Sequence, residues 1–288
     1  MRIGMSGAFL PTRMDDFTAE TARRIRGLGY SGCFTRFTDD PFETPPAKAR
    51  RVRDLLADHG LQMYQAIGYR PPLHHPDETV RRQAVRILTA AVRLHKELGA
   101  RETHTGPGSL NPKSAWGPHP YNWTSQAKEQ LIKSLREVAP VAEDCGVYVG
   151  LEGHVLVTLS SAETMREVLQ AVGSPRVRCA FDAVNWITLE TIYDTGRAIN
   201  RMADALEGLA ISAHAKDVMI EDRLVTHLSE CPAGTGLLDY DVLLRRLEAM
   251  DPELPLVVEH CTSDDLPRIS EFLHARCAEL GITVVGNQ

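Results

Sequence analysis

Short apolar runs alternate along this chain with longer stretches in which apolar positions recur every three or four residues. The first pattern suits strands buried on both faces; the second suits helices with one buried stripe. Strands are predicted near 2–8, 31–37, 61–68, 101–105, 147–152, 177–182, 209–214 and 255–260. Helices are predicted near 15–28, 46–59, 77–98, 125–145, 161–172, 189–207, 239–250 and 265–280. In the third helix Val80, Ala84, Ile87, Ala91, Leu94 and Leu98 form the expected stripe, with Arg81, Arg82, Arg86 and Arg93 between them. Gly29, Gly60, Gly99, Gly146, Gly173 and Gly208 each stand between a helical stretch and an apolar run, where a residue of positive φ ends a helix. Ser160 followed by Glu163 has the spacing of a capping box at the start of the fifth helix.

Eight strands alternating with eight helices predict an α/β fold, a (β/α)8 TIM barrel, with an open doubly wound sheet as the alternative. No GxGxxG follows the first strand and no GxxxxGK[ST] occurs, so the phosphate-cradling signatures of nucleotide folds are missing. The length of 288 residues, 43% hydrophobic, suits one domain over 1–288. A net charge of −6 offers no basic footprint for nucleic acid or an anionic membrane. No stretch approaches the roughly 20 apolar residues of a membrane span, and the opening MRIGMSGAF reads as a strand and not as a signal peptide. A cytoplasmic protein with a small-molecule partner is expected. Six scattered cysteines without a CxxC pair argue against a zinc ribbon or a disulfide framework.

Chemistry concentrates in the second half. Glu152 in YVGLEGH, Asp182 in CAFDAVNW, His214 in AISAHAKD and Glu259 in LVVEHC sit beside strand-like apolar runs, 30, 32 and 45 residues apart. Ionisable groups buried there need partners, and one divalent cation would serve all four. In a barrel they converge at the mouth from the fifth to eighth strands. Three carboxylates and an imidazole suit Mn²⁺ first, or Mg²⁺ or Co²⁺, over a thiolate-type zinc site. Two long loops, 106–123 and 215–238, are expected on the same face.

The motifs LEGH at 151–154, FDAVN at 181–185, HAKD at 214–217, PAGTGLLDY at 232–240 and VVEH at 257–260 follow one another in this frame. By these motifs, over essentially its whole length, the chain resembles the xylose isomerase-like TIM-barrel superfamily, in its sugar phosphate isomerase/epimerase branch. The resemblance implies that Glu152, Asp182, His214 and Glu259 bind one divalent metal and that Glu152 and Glu259 double as acid and base. The implied chemistry is carboxylate-mediated proton transfer through a metal-stabilised enediolate, in a sugar isomerase or epimerase. Expulsion of a β-leaving group from the same intermediate would instead make a lyase, such as a keto-inositol dehydratase or a 3-oxo-glycoside-cleaving subunit. A catalytically inactive binding or scaffold subunit is the third reading. Homo-oligomeric and heteromeric assembly are both compatible with it. Ketose 3-epimerases often carry His where this chain has Asn185, which departs from that subgroup. Endonuclease IV-like DNA-repair enzymes use three zinc ions and many histidines; Gln65, Asn185 and the acidic charge argue against that chemistry here.

Substrate contacts are expected from His104, His154, Asn185, Lys216 and Trp116. His154 would face the same side as Glu152 if the strand continued, and Lys216 would hold a developing oxyanion or a hydroxyl. A structural imidazole is an equal reading for His104, His154, His227 and His260, and mutual pairing is the alternative for Lys216 and Asp217. His227 is also a candidate for a second metal. Trp116, Tyr121, Trp123 and Trp186 supply aromatic faces, for a sugar or for pinning loops. Gly234 and Gly236 in PAGTG offer backbone N–H groups to a phosphate or simply form a turn.

Overall fold

The structure, a computed structural model, describes residues 1–67 and 71–286. Its strands are β1 (Arg2–Ser6), β2 (Gly32–Thr35), β3 (Gln62–Ala66), β4 (Glu102–Thr105), β5 (Tyr148–Leu151), β6 (Val177–Phe181), β7 (Ala210–Ala215), β8 (Asp217–Ile220), β9 (Leu228–Cys231) and β10 (Pro255–Val258). Its helices are α1 (Ala19–Gly27), α2 (Pro46–Ala57), α3 (Glu78–Glu97), α4 (Ser125–Cys145), α5 (Ala162–Val172), α6 (Thr195–Ala205), α7 (Tyr240–Met250) and α8 (Leu266–Glu279). Eight strands pair in parallel in the order β1, β10, β7, β6, β5, β4, β3, β2, and β1 pairing with β2 closes the barrel. The predicted elements are all present. The expected extension of the third strand to Gly68 lies outside the described residues.

Closure buries the strands on both faces, so their near-continuous apolar runs are what the fold requires. The helix termini are set locally. Thr18, Asp77, Thr124 and Asp239 accept hydrogen bonds from first-turn N–H groups, and the six predicted helix-ending glycines all take positive φ, from 66° to 84°. The fifth helix departs by one residue: Ser161, not Ser160, is the cap, because its extended backbone aims Oγ at Thr164 N. The first and sixth helices begin later than expected, at Ala19 and Thr195. Met14–Asp16 before α1 is a separate 3-10 turn.

Two further differences come from polar groups satisfied only in three dimensions. Arg81, expected on the solvated side of α3, is fully buried. Its guanidinium bonds Glu78 at 2.7 and 2.8 Å, Glu137 at 2.7 Å and Ser134 Oγ at 2.9 Å, locking α3 to α4. Of the predicted stripe, Ala84, Ala91, Leu94 and Leu98 are buried and Val80 and Ile87 half-buried, while Arg81, Val85, Leu88, Val92 and His95 widen the buried face beyond it. The expected loop 215–238 folds into the antiparallel hairpin β8–β9. Asp217 organises it by accepting from the N–H groups of Val218, Gly234, Gly236 and Leu238 at 2.8 to 3.1 Å. A Cβ at Gly236 would lie 2.4 Å from Asp217 Oδ1, so glycine is required there. The N–H groups of PAGTG therefore go to Asp217, not to a phosphate, and Asp217 does not pair with Lys216. No helix among the described residues is long and apolar enough to cross a membrane.

Candidate metal centre

Glu152 follows β5, Asp182 follows β6, His214 lies in β7 and Glu259 follows β10. One ligand atom from each falls within 4.8 Å of all the others, and all four residues are buried. His214 Nδ1 faces Glu152 Oε1 and Asp182 Oδ2 at 3.3 Å each and Glu259 Oε1 at 3.4 Å. Sequence separation predicted this convergence, and barrel closure produces it.

The electrostatics call for a cation. Both Glu259 oxygens are buried without a hydrogen-bond partner. Burial opposes charge on His214, yet Glu259, Asp182 and Glu152 together hold its pKa well above the usual imidazole value. Burial likewise opposes the Glu152 charge, but hydrogen bonds from His104 and His214 keep it well below the usual carboxylate range. Positive charge is thus favoured where the carboxylates meet. Oxygen-rich donors with one imidazole, one carboxylate that accepts no hydrogen bond and a compact geometry fit a divalent ion.

Lys216 lies beside this cluster, buried and bonded to Asn185 Oδ1 at 2.9 Å and Glu230 Oε1 at 2.6 Å. Its ammonium is also 3.1 Å from Asp182 Oδ2 and 3.5 Å from Glu259 Oε1. Burial disfavours the charge, but Asp182 and Glu259 raise the pKa above the ordinary lysine value, so Lys216 is a fixed cation and not a base. Glu230 was not anticipated. It stands on β9, lies far from the other acids in sequence, and reaches the site only because the hairpin folds over the mouth. Its carboxylate also binds His260 Nδ1, and His260 holds φ at 54°, in the left-handed region that non-glycine residues rarely adopt.

Asn185 and His104, both expected to contact substrate, bond to groups of the site itself. Asn185 Nδ2 donates to Glu152 Oε1 at 2.8 Å and to Gly153 O at 3.0 Å, while its oxygen accepts from Lys216. His104 is buried, with Nδ1 3.2 Å from Glu102 Oε1 and Nε2 3.1 Å from Glu152 Oε2. Burial lowers its pKa, but the hydrogen bonds to Glu102 and Glu152 outweigh that and raise it. Both residues therefore support Glu152 from behind. The fifth strand ends at Leu151, so His154 is not in strand register with Glu152; its Nδ1 accepts from Leu156 N and caps a turn. Its ring meets Trp116 edge-on at 6.4 Å, and Trp116 rests on Gly106, where a Cβ would come within 2.6 Å of the indole. His154 lies close enough to Lys216, Asp182 and Glu152 for their charges to act on it. Trp186 instead pins a loop through Nε1 to Leu159 O, Tyr121 stacks on His74, and Trp123 stands half-exposed on a 3-10 turn. His227 is exposed, its ring directed at Val225 O, and it is not among the four clustered residues.

The model of the family described as xylose isomerase-like TIM barrel matches residues 22–283. Among solved structures, L-ribulose 3-epimerase is 19% identical with a TM-score of 0.74, covering 97% of this chain and 95% of its own. The 3-keto-D-glucoside 4-epimerase of E. coli is 17% identical with a TM-score of 0.71, covering 96% and 99%. A xylose isomerase-like TIM barrel protein from Mycobacterium smegmatis in complex with magnesium is 17% identical with a TM-score of 0.71, covering 100% and 98%. At these identities the likeness shows the fold. No curated protein matches the chain in sequence.

Proposed function

Because the chain belongs to the xylose isomerase-like TIM barrel family, we propose that it is a divalent-metal-dependent sugar isomerase or epimerase working by carboxylate proton transfer. The observation that carries this reading is the meeting of Glu152, Asp182, His214 and Glu259 around a point where both oxygens of Glu259 lack hydrogen bonds. The epimerases among the similar structures support a sugar substrate. Mn²⁺ is the ion we assign, and a bound divalent ion would supply Lewis-acid polarisation of a carbonyl.

The chain's own residues divide the remaining work unequally. Glu152 is tied by Asn185 and His104 and held anionic, whereas Glu259 accepts no hydrogen bond, its oxygens lying 3.4 to 3.7 Å from His214, Lys216, His260 and Arg36, so Glu259 is the base that takes the proton beside the carbonyl. Glu152, ionised at rest, returns a proton only by relay: His104 Nε2, 3.1 Å away, passes its proton to Glu152 Oε2, and Glu152 delivers it to the substrate carbon. Lys216, a cation at any physiological pH, stabilises negative charge developing on a substrate oxygen.

The test is deuterium wash-in from D₂O with Mn²⁺ across ketoses, keto-inositols and 3-oxo-glycosides. Exchange at the carbon beside the carbonyl with unchanged product mass (apart from deuterium) supports the proposal. Loss of water or of an aglycone would assign a lyase instead, and no exchange with any of these classes would overturn proton-transfer chemistry on them.

Metal affinity should also rise with pH. The raised pKa of His214 means that the metal-free ring is protonated at neutral pH, and an ion must displace that proton from Nδ1. Between about pH 6 and the raised pKa, Mn²⁺ affinity should therefore climb roughly tenfold per pH unit, then level off. Calorimetric titration across that range measures it, and a flat profile would refute proton displacement.

A further inference from the structure

Below the four clustered residues lies a second, wholly buried polar layer. Glu102 of β4, Gln65 of β3 and Ser212 of β7 fill the barrel interior, with His104 and His214 two residues further along their strands on the same faces. Phe34 packs against both imidazoles, with ring centroids 5.0 Å from His104 and 6.1 Å from His214. Glycine at position 150 makes room, because a Cβ there would stand 2.4 Å from Glu102 Oε1.

The hydrogen bonds of this layer form one connected chain. Glu102 Oε1 accepts from the amide nitrogen of Gln65 at 2.8 Å. Ser212 donates to Glu102 Oε2 at 2.8 Å, which leaves its oxygen to accept the second Gln65 N–H at 3.0 Å. The Gln65 carbonyl then points at His214 Nε2, 3.1 Å away, and that nitrogen must carry the proton. His214 Nδ1 is then the nitrogen that faces Glu152, Asp182 and Glu259, carrying a proton toward them in the metal-free protein and giving its lone pair to an ion once that proton is displaced. On the other side, His104 donates from Nδ1 to Glu102 Oε1 at 3.2 Å and from Nε2 to Glu152 Oε2 at 3.1 Å, so the ring is held between the two carboxylates.

We propose that Glu102 is a positioning residue that presets the metal centre from the barrel floor, orienting His214 through Gln65 and Glu152 through His104. This inference rests on the metal reading above. One carboxylate, contacting none of the four clustered residues directly, thereby fixes the ring orientation of one and the carboxylate orientation of another. Outer groups that hold a ligand's orientation typically change metal affinity 10- to 100-fold when removed.

Calorimetric Mn²⁺ titration of the metal-stripped protein, with melting curves as a fold control, tests it. Glu102→Gln should weaken Mn²⁺ binding about 10- to 100-fold while melting stays cooperative, since the amide can no longer accept from all its neighbours. Gln65→Met, similar in size but without an acceptor for His214 Nε2, should do the same. The exchanged pair, Gln65→Glu with Glu102→Gln, restores an acceptor facing His214 and should recover much of the affinity, which a purely structural role would not predict. In the wild-type protein with Zn²⁺ as a diamagnetic probe, ¹H–¹⁵N correlation should find the His214 proton on Nε2. Wild-type affinity in both single variants, or a proton on Nδ1, would overturn the proposal. Wild-type protein that binds no Mn²⁺ would overturn the metal reading itself. If Glu102→Gln does not fold, Gln65→Met and the wild-type spectrum still decide.

Discussion

Glu259→Gln is expected to cut deuterium exchange beside the substrate carbonyl by about 10²- to 10⁴-fold, the usual contribution of a positioned general base. Glutamine keeps the size and one oxygen donor, and Glu152, Asp182 and His214 remain, so Mn²⁺ should still bind, though less tightly. Binding and turnover therefore separate, and exchange at the wild-type rate would remove Glu259 from the chemistry. The expectation comes from an asymmetry. Glu152 has both oxygens hydrogen-bonded, to Asn185 and His104, while Glu259 has neither. A carboxylate that already satisfies two donors is a poorer base than one with free lone pairs.

Lys216→Met should have the largest effect on stability. The ammonium is buried between Asp182, Glu230 and Glu259, and methionine fills similar space without charge. Removing one partner of a buried ionic group leaves the others uncompensated, at a cost of about 3–5 kcal/mol. Chemical denaturation of the metal-free variant should reveal that loss. Two controls follow from the cause: Mn²⁺ should return part of the stability by replacing the missing positive charge, and the deficit should shrink as pH falls and the orphaned carboxylates protonate. A metal-free variant as stable as wild type would mean that Lys216 does not balance this cluster.

The barrel was legible because its determinants are local. Strand runs, helix periodicity and glycine at helix ends each depend on neighbours a few residues away, and they identified all sixteen barrel elements, with the start of the sixth helix six residues early. The four clustered residues were legible for a related reason: each is an ionisable group attached to an apolar strand, and parallel strands carry such groups to one end. Glu102 had a weaker signal of the same kind. It and His104 alternate on one strand, a pattern that puts two polar side chains on one face of a buried sheet. Arg81 was misread because spacing reports which face a residue occupies on average, not whether Glu78, Glu137 and Ser134 will meet it there.

From the sequence by itself came the order of elements, the closed-barrel class and the identities of Glu152, Asp182, His214 and Glu259, since all follow from periodicity and short-range chemistry. Tertiary structure alone decided which imidazole nitrogen of His214 faces the carboxylates, which glutamate keeps its lone pairs, and that Glu230 reaches Lys216 across the mouth. Those outcomes depend on hydrogen-bond partners brought together from distant strands. A buried donor must find an acceptor wherever the chain places one, and no local pattern records which it will be.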